Sequence, residues 1–246
     1  MELIRALLSV HYPQTCAMCG RYNGERADSI CKACLDALPR TEQASLRENG
    51  TEMTLWGECK TPFAARKVMH LERAAAFMFF EKEHPVQQVI HQMKYFDRPE
   101  IGFQLGCEAA KEFLYSDFFE GIDVIMPVPL HTNRLRSRGY NQSEYIARGL
   151  SEITGIPVDT THLTRIKDTP QQAQIKANGE RMNGRMLRRA NVEGAFAVNH
   201  PEQMYRKHIL LVDDLLTTGE TVRACLKAMR GFRGATFSVF ALCKAR

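Results

Sequence analysis

Apolar residues along the chain fall into short blocks separated by polar turns. Residues 209–212 read Ile-Leu-Leu-Val and are bounded by charge at Lys207 and Asp213. A continuous run of this kind predicts a strand buried on both faces, as in a parallel sheet. Just downstream, Val222, Cys225, Leu226 and Met229 stand at i, i+3, i+4 and i+7, the apolar stripe of a helix. The same two signals recur. Residues 74–80, 122–126, 163–166, 196–198 and 234–243 read as strands. A helix is predicted from Pro85, in a first-turn position, with Val86, Val89, Ile90 and Met93 inward and Gln87, His91 and Lys94 on another face. His91 reads as a surface residue. A second helix is predicted over residues 102–113, with Phe103, Leu105, Ala109 and Phe113 available for packing. A third opens at Asn141, with Tyr145, Ile146, Leu150 and Ile153 inward, and ends near Gly155-Ile-Pro157. Residues 39–62 carry little periodicity and read as linker and loops, with Trp56 as an anchor on the following domain. Strands alternating with helices predict an α/β fold with a parallel sheet.

Length adds a second unit. At roughly 100–200 residues per domain, 246 residues suggest one large domain and a small one, with a boundary near residues 45–65. The expected division is 1–55 and 56–246. Apolar content of 44% and charged content of 25% are those of a soluble globular protein. No apolar run approaches the ~18 residues that span a membrane. Residues 1–10 are too short and acidic for a signal peptide and read as a short amphipathic helix, so a cytoplasmic location is the default. The net charge of +5 suits anionic ligands without demanding nucleic acid.

The eight cysteines divide into two sets. Cys59, Cys107, Cys225 and Cys243 stand alone, mostly in apolar surroundings, and read as small core residues. Cys16, Cys19, Cys31 and Cys34 form two Cys-x-x-Cys pairs separated by eleven residues. That spacing makes a four-cysteine zinc site, in which each tight turn presents two thiolates to one side of the metal. Gly20 supplies the permissive backbone position after the first turn. Four thiolates leave no open coordination position, so the zinc is structural. A redox dithiol pair and disulfides are the competing readings.

Chemistry concentrates after the 209–212 strand. Asp213 and Asp214 sit at its C-terminal end, where open α/β sheets bind ligands. Thr217-Thr218-Gly219-Glu220-Thr221 follows, and then the helix begins. Backbone N–H groups at a helix start, three hydroxyl donors and a glycine that allows close approach suit a phosphate. Glu220 beside such a phosphate has to point outward. Adjacent carboxylates suit a vicinal diol, or Mg²⁺ held directly or through water. Upstream, Pro127 and Pro129 end the 122–126 strand sharply. The rigid loop that follows carries Arg134, Arg136 and Arg138 and suits an anionic group, although a solvated basic turn has the same composition.

The run of four apolar residues, two acids, two apolar residues and Thr-Thr-Gly-x-Thr resembles the 5-phosphoribosyl 1-diphosphate (PRPP) motif of type I phosphoribosyltransferases. Together with Pro127-Val-Pro-Leu130, Arg138-Gly-Tyr-Asn-Gln142 and the N-terminal four-cysteine ribbon, the chain resembles the ComF/GntX family over nearly its whole length. The resemblance implies a type I phosphoribosyltransferase-like parallel sheet flanked by helices, fused to a small zinc ribbon, in a bacterial protein. It implies PRPP bound with Mg²⁺. Asp213 and Asp214, as the catalytic pair, would hold the ribose, residues Thr217 to Thr221 the 5′-phosphate, and the loop with Pro129, Leu130 and Arg134 the pyrophosphate; Leu215 and Arg138 would complete the PRPP site. It implies a flexible lid over residues 168–191, with Gln172 and Arg188-x-x-Asn191 as its best-fitting anchors and Arg181 and Asn183 as a second set; a surface loop is the alternative.

Transfer of a phosphoribosyl group to a nitrogen acceptor is the expected activity. The acceptor is not named by any segment. The alternative is a non-catalytic PRPP- or nucleotide-binding adaptor in the handling of single-stranded DNA, its ribbon docking a helicase-like partner or the DNA itself. A plain nucleic-acid-binding module has the least support, because no aromatic residues interleave a basic stripe.

Overall fold

The structure, a computed structural model, describes residues 15–23, 29–44, 49–56, 70–81, 83–168 and 192–246. The expected N-terminal amphipathic helix, the lid anchors Gln172, Arg181, Asn183, Arg188 and Asn191, Cys59 and the side chain of Trp56 lie outside the described residues.

In chain order the elements are α1 (Lys32–Asp36), α2 (Gly50–Trp56), β1 (Leu71–Phe80), α3 (Val86–Tyr95), α4 (Glu100–Phe113), β2 (Val124–Pro127), α5 (Thr132–Arg138), α6 (Gln142–Thr154), β3 (Leu163–Arg165), β4 (Phe196–Val198), β5 (His208–Leu216), α7 (Glu220–Met229) and β6 (Thr236–Ala245). Four strands form one sheet in the order β1-β6-β5-β2, with every pair parallel. β3 and β4 form a separate antiparallel pair. This is the α/β architecture expected from the alternation of strand and helix patterns.

The 209–212 run shows why the sheet lies between two layers. Leu210 and Val212 face a core shared with α3, α4 and α6, while Ile209 and Leu211 face a core shared with α7. A period of two in direction and an unbroken apolar composition leave neither face polar. Both edges of the sheet are covered. Thr41 and Phe79 donate backbone hydrogen bonds to Phe77 and Pro39 along β1, and Ile125 of β2 bonds Pro157 and Asp159. A covered edge offers no unpaired ladder to another chain.

Two expectations need correction. Residues 50–56 form a helix, α2, where loops are predicted. The side chain of Asn49 accepts from the Thr51 and Glu52 backbone N–H groups, which caps the helix. Asn49 also donates to the Ala74 carbonyl of β1 at 2.8 Å. This tertiary contact holds a segment too short to show a period. Phe103 is 37% exposed and stands outside the packed face of α4, which is formed by Ile101, Leu105, Ala109 and Phe113.

The cysteine turns dock on α3 and α4. Cys16, Ala17, Ile30, Cys34, Leu35 and Leu38 belong to the same apolar cluster as those helices. Gln104 of α4 accepts from Ile30 N at 2.8 Å and donates to Ile30 O at 2.9 Å. Gln92 of α3 donates to Ala17 O at 2.9 Å. Among the described residues no helix is long and apolar enough to cross a membrane.

Candidate functional site

β5 and β2 part company at one point. Val212 pairs with Pro127, and Val128 N donates to Val212 O at 2.8 Å. Beyond that bond Pro129 leads the chain away, while β5 continues to Leu216 against β6. Asp213 and Asp214 therefore occupy a stretch of β5 paired on one side only. They are 8% and 5% exposed, and burying carboxylates in this way requires partners.

The partners come from the start of α6 and the end of α3. Asn141 caps α6, with its side chain accepting from Ser143 N, and it also donates to Val128 O at 3.0 Å. This bond ties the start of α6 to the loop leaving β2. The first turn of α6 then faces the acids. Ser143 Oγ donates to Asp213 Oδ1 at 3.4 Å, and Gln142 Nε2 donates to Asp214 Oδ2 at 3.1 Å. Lys94, from the last turn of α3, places Nζ 2.7 Å from the same Oδ2.

The two acids differ electrostatically. Burial first, and then the neighbouring Asp214 charge, push the Asp213 carboxyl up to about 7. Burial opposes the charge on Lys94, but the Asp214 carboxylate outweighs it and raises the lysine above its ordinary range. Lys94, Gln142 and Ser143 are the site residues that sequence reasoning missed. Gln142 stands in the quoted Arg138-to-Gln142 motif, which is a usable signal. Lys94 carries none, because its helix face reads as solvent-facing.

The loop after Leu216 is held from behind. Gly219 has φ 75° and precedes the first turn of α7. A Cβ there would lie 2.9 Å from Arg223 Nη1 and 3.2 Å from Leu55, so the positive φ calls for glycine and any larger residue would also push the Arg223 guanidinium aside. Arg223 donates to the Thr218 carbonyl at 2.5 Å and to the Thr54 carbonyl of α2 at 2.8 Å. It also pairs with Glu220 Oε1 at 2.5 Å. The Glu220 carboxylate is thereby paired with the Arg223 guanidinium. Thr217 is exposed, Thr218 is half-buried and Thr221 is half-buried.

Pro129 and Leu130 are half-buried on the loop leaving β2. Arg138 ends α5, donates to Gln142 Oε1 and lies over the Tyr95 ring at 5.4 Å. Arg134 is close enough to Arg165 of β3 to depress the Arg165 guanidinium, although burial is the larger cause. Arg165 is a further residue that the sequence did not single out. Arg138 thus reaches the acid pair through Gln142, Pro129 and Leu130 lie on the loop leaving β2, and Arg134 is linked to Arg165; the Thr-Thr-Gly loop follows β5 in the chain.

The second candidate is a metal centre. The Sγ atoms of Cys16, Cys19, Cys31 and Cys34 lie within 4.8 Å of one another. Tetrahedral Zn–S bonds of ~2.3 Å require sulfur separations of roughly 3.8 Å, so a small contraction closes the site. Cys19 and Cys31 are already 3.9 Å apart. Met18 N and Cys31 N donate to Cys16 Sγ at 3.4 and 3.3 Å. Burial opposes ionisation of Cys16, but these and the Cys19 backbone contact lower it overall. Arg21 draws Cys19 down to about 6, while burial and the other thiols push Cys34 up. Four crowded sulfurs cannot all ionise unaided; a divalent cation removes that conflict. The donor set fits zinc.

No protein-family model matches the chain. The DNA utilization protein YhgH of Salmonella typhi is 31% identical over 163 residues, covering 65% of this chain and 67% of that protein. Competence protein F of Haemophilus influenzae is 34% identical over 125 residues, 50% of this chain and 51% of the relative. The bifunctional protein PyrR of Latilactobacillus sakei is 31% identical over 98 residues, 39% of this chain and 46% of that one. Among solved structures, the allosteric regulatory enzyme of purine biosynthesis matches 60% of this chain and 29% of its own, with a TM-score of 0.35 and 20% identity. On the extent and identity of the YhgH match, and with the cysteine cluster, the loop motifs and the parallel sheet in one chain, this protein belongs to the ComF/GntX family.

Proposed function

We propose that the parting of β2 and β5 is a PRPP site and that the protein transfers a phosphoribosyl group from it to a nitrogen acceptor. One observation carries the reading: two adjacent buried carboxylates, Asp213 and Asp214, lead directly into a threonine- and glycine-lined helix start. Carboxylates accept hydrogen bonds from a vicinal diol, and the loop N–H groups and hydroxyls of Thr217, Thr218, Gly219, Glu220 and Thr221 suit a phosphate. Glu220 is neutralised by Arg223, which supports an anion at this loop. Leu215 lies at the step between acids and loop. Pro129, Leu130, Arg134 and Arg138 would receive the pyrophosphate, and positive charge preset where negative charge develops favours its departure.

Asp213 and Asp214 offer the hard oxygen donors that Mg²⁺ prefers. When bound, Mg²⁺ would supply charge neutralisation for the leaving pyrophosphate. The chain's own task is orientation: Ser143 and Gln142 hold the two carboxylates toward the ribose hydroxyls, and Arg223 holds the phosphate loop open from behind. In this reading residues 1–55 are a zinc ribbon with its linker, and residues 56–246 are the sugar-binding unit.

Calorimetric titration of PRPP, with and without Mg²⁺, tests the site. Binding is expected to depend on Mg²⁺ and to weaken at least about tenfold in Asp214→Asn, the scale of a lost charge-assisted hydrogen bond. Absence of binding at millimolar PRPP with Mg²⁺ present refutes it. Pyrophosphate release across nitrogenous acceptors separates turnover from binding alone.

The names of the relatives favour a second reading. YhgH is a DNA utilization protein and the Haemophilus relative a competence protein. A PRPP- or nucleotide-binding adaptor in single-stranded DNA uptake, with the ribbon docking a helicase-like partner, fits those names. It predicts PRPP binding with no pyrophosphate release.

A further inference from the structure

The acid pair already holds a cation of its own. Lys94 Nζ lies 2.7 Å from Asp214 Oδ2, in a contact whose side chains are 19% and 7% exposed. Lys94 reaches the acids from the last turn of α3, whose apolar stripe is packed in the core beneath. Gln142 donates to the same oxygen. A buried carboxylate pair needs a positive charge close by, because desolvation removes the water that would otherwise stabilise it. Lys94 supplies that charge from within the fold.

Both contacts fall on Asp214 Oδ2, one of the two oxygens that a cation or diol would use. A divalent cation on the carboxylate repels the Lys94 ammonium, and a diol bound across both Asp214 oxygens competes with it for Oδ2. We propose that Lys94 is the built-in counter-cation of the Asp213–Asp214 pair, and that a divalent cation or a sugar diol enters by displacing its ammonium from Asp214. Lys94 is then a positioning residue: it balances the buried carboxylates and makes ligand entry an exchange of ion pairs. The neighbouring Tyr95 carries Arg138 over its ring, and Arg138 bonds Gln142. Release of Lys94 would therefore also be felt at the end of α5. The proposal deepens the PRPP reading but depends only on the acid pair being a cation site.

The test uses the full-length, zinc-loaded protein and Mn²⁺ alone, followed by paramagnetic resonance of free Mn²⁺. Lys94→Met is expected to bind Mn²⁺ at least about tenfold more tightly than wild type, since the competing ion pair is gone. Lys94→Arg keeps wild-type affinity, and adding Asp214→Asn to Lys94→Met abolishes the gain. Unchanged or weaker Mn²⁺ binding by Lys94→Met overturns the proposal. Should that variant fail to fold, the wild-type protein decides: the protected Lys94 Nζ resonance is expected to shift or broaden on Mg²⁺ addition, and its persistence unchanged refutes displacement. PRPP titration of the same samples is read separately. Tight Mn²⁺ binding by Lys94→Met without any PRPP binding would sink the sugar reading and leave the counter-cation standing.

Discussion

Asp213 and Asp214 are neighbours in sequence with opposite circumstances. Asp214 has Lys94 and Gln142, whereas Asp213 has a serine hydroxyl and the backbone N–H of Asp214. Burial and the Asp214 charge raise the Asp213 carboxyl to about 7, well above its unfolded value of roughly 3.9. The native state therefore holds this proton over a window where the unfolded chain has lost it. Stability from this group is full below the unfolded value and declines as pH rises toward about 7. Asp213→Asn, which keeps the shape without the charge, should be more stable than wild type at pH 8, by up to roughly 4 kcal/mol for a carboxyl raised from roughly 3.9 to about 7. The gain should vanish near pH 4. Urea denaturation of the ligand-free protein at the two pH values checks this, and an equal effect at both would show that charge is not the cause. Sequence makes the acid pair legible because the acids interrupt an apolar run. It does not distinguish the two acids, since the difference comes from residues about 70 and 120 positions away.

At the scale of elements, periodicity was a good guide wherever a segment was long and buried on one face. The stripe Val86, Val89, Ile90 and Met93 of α3 is fully packed, as is the α7 stripe Val222, Cys225, Leu226 and Met229. It failed at α2, whose seven residues are too few to establish a period and which is held by the buried Asn49. It also failed at Phe103, where a helix lies close to its neighbour along a different line. α4 and α6 cross through glycines: a Cβ at Gly106 would strike the Ile146 carbonyl, and one at Gly149 the Phe103 carbonyl. Backbone contact of this kind brings the first turn of α6, with Gln142 and Ser143, to the right height against β5. Gly106→Ala and Gly149→Ala should each cost about 1–3 kcal/mol through overpacking, measured by denaturant midpoint. Gly139→Ala is a useful contrast. Open space surrounds its Cβ position, so its cost should reflect the positive φ alone.

On the scale of the whole molecule, the cysteine turns are part of the packing of the sheet's helical layer. Ile30 and Leu38 are buried with α3 and α4, and Gln92 and Gln104 bond the backbone of the turns. α3 is also the helix that delivers Lys94 to the acid pair. Metal analysis should find one zinc per chain. Removing it by chelation should expose the α3–α4 surface and lower the melting temperature by about 5 °C or more, an effect of a few kcal/mol at this size. Unchanged melting after complete zinc loss would show that the turns hold without metal.

The sequence by itself determined the local features. An unbroken Ile-Leu-Leu-Val run can only be satisfied between two apolar layers, two Cys-x-x-Cys turns present four thiolates at short range, and glycine at 219 permits a backbone that other residues resist. These are matters of local composition and spacing. Tertiary structure decided which groups meet across long stretches of chain: Lys94 and Gln142 on Asp214, Arg223 bridging α2 to the Thr218 carbonyl, and Gln104 clasping Ile30. No periodicity encodes such pairs, because a polar side chain at a helix end has the same local pattern whether it faces water or a buried carboxylate.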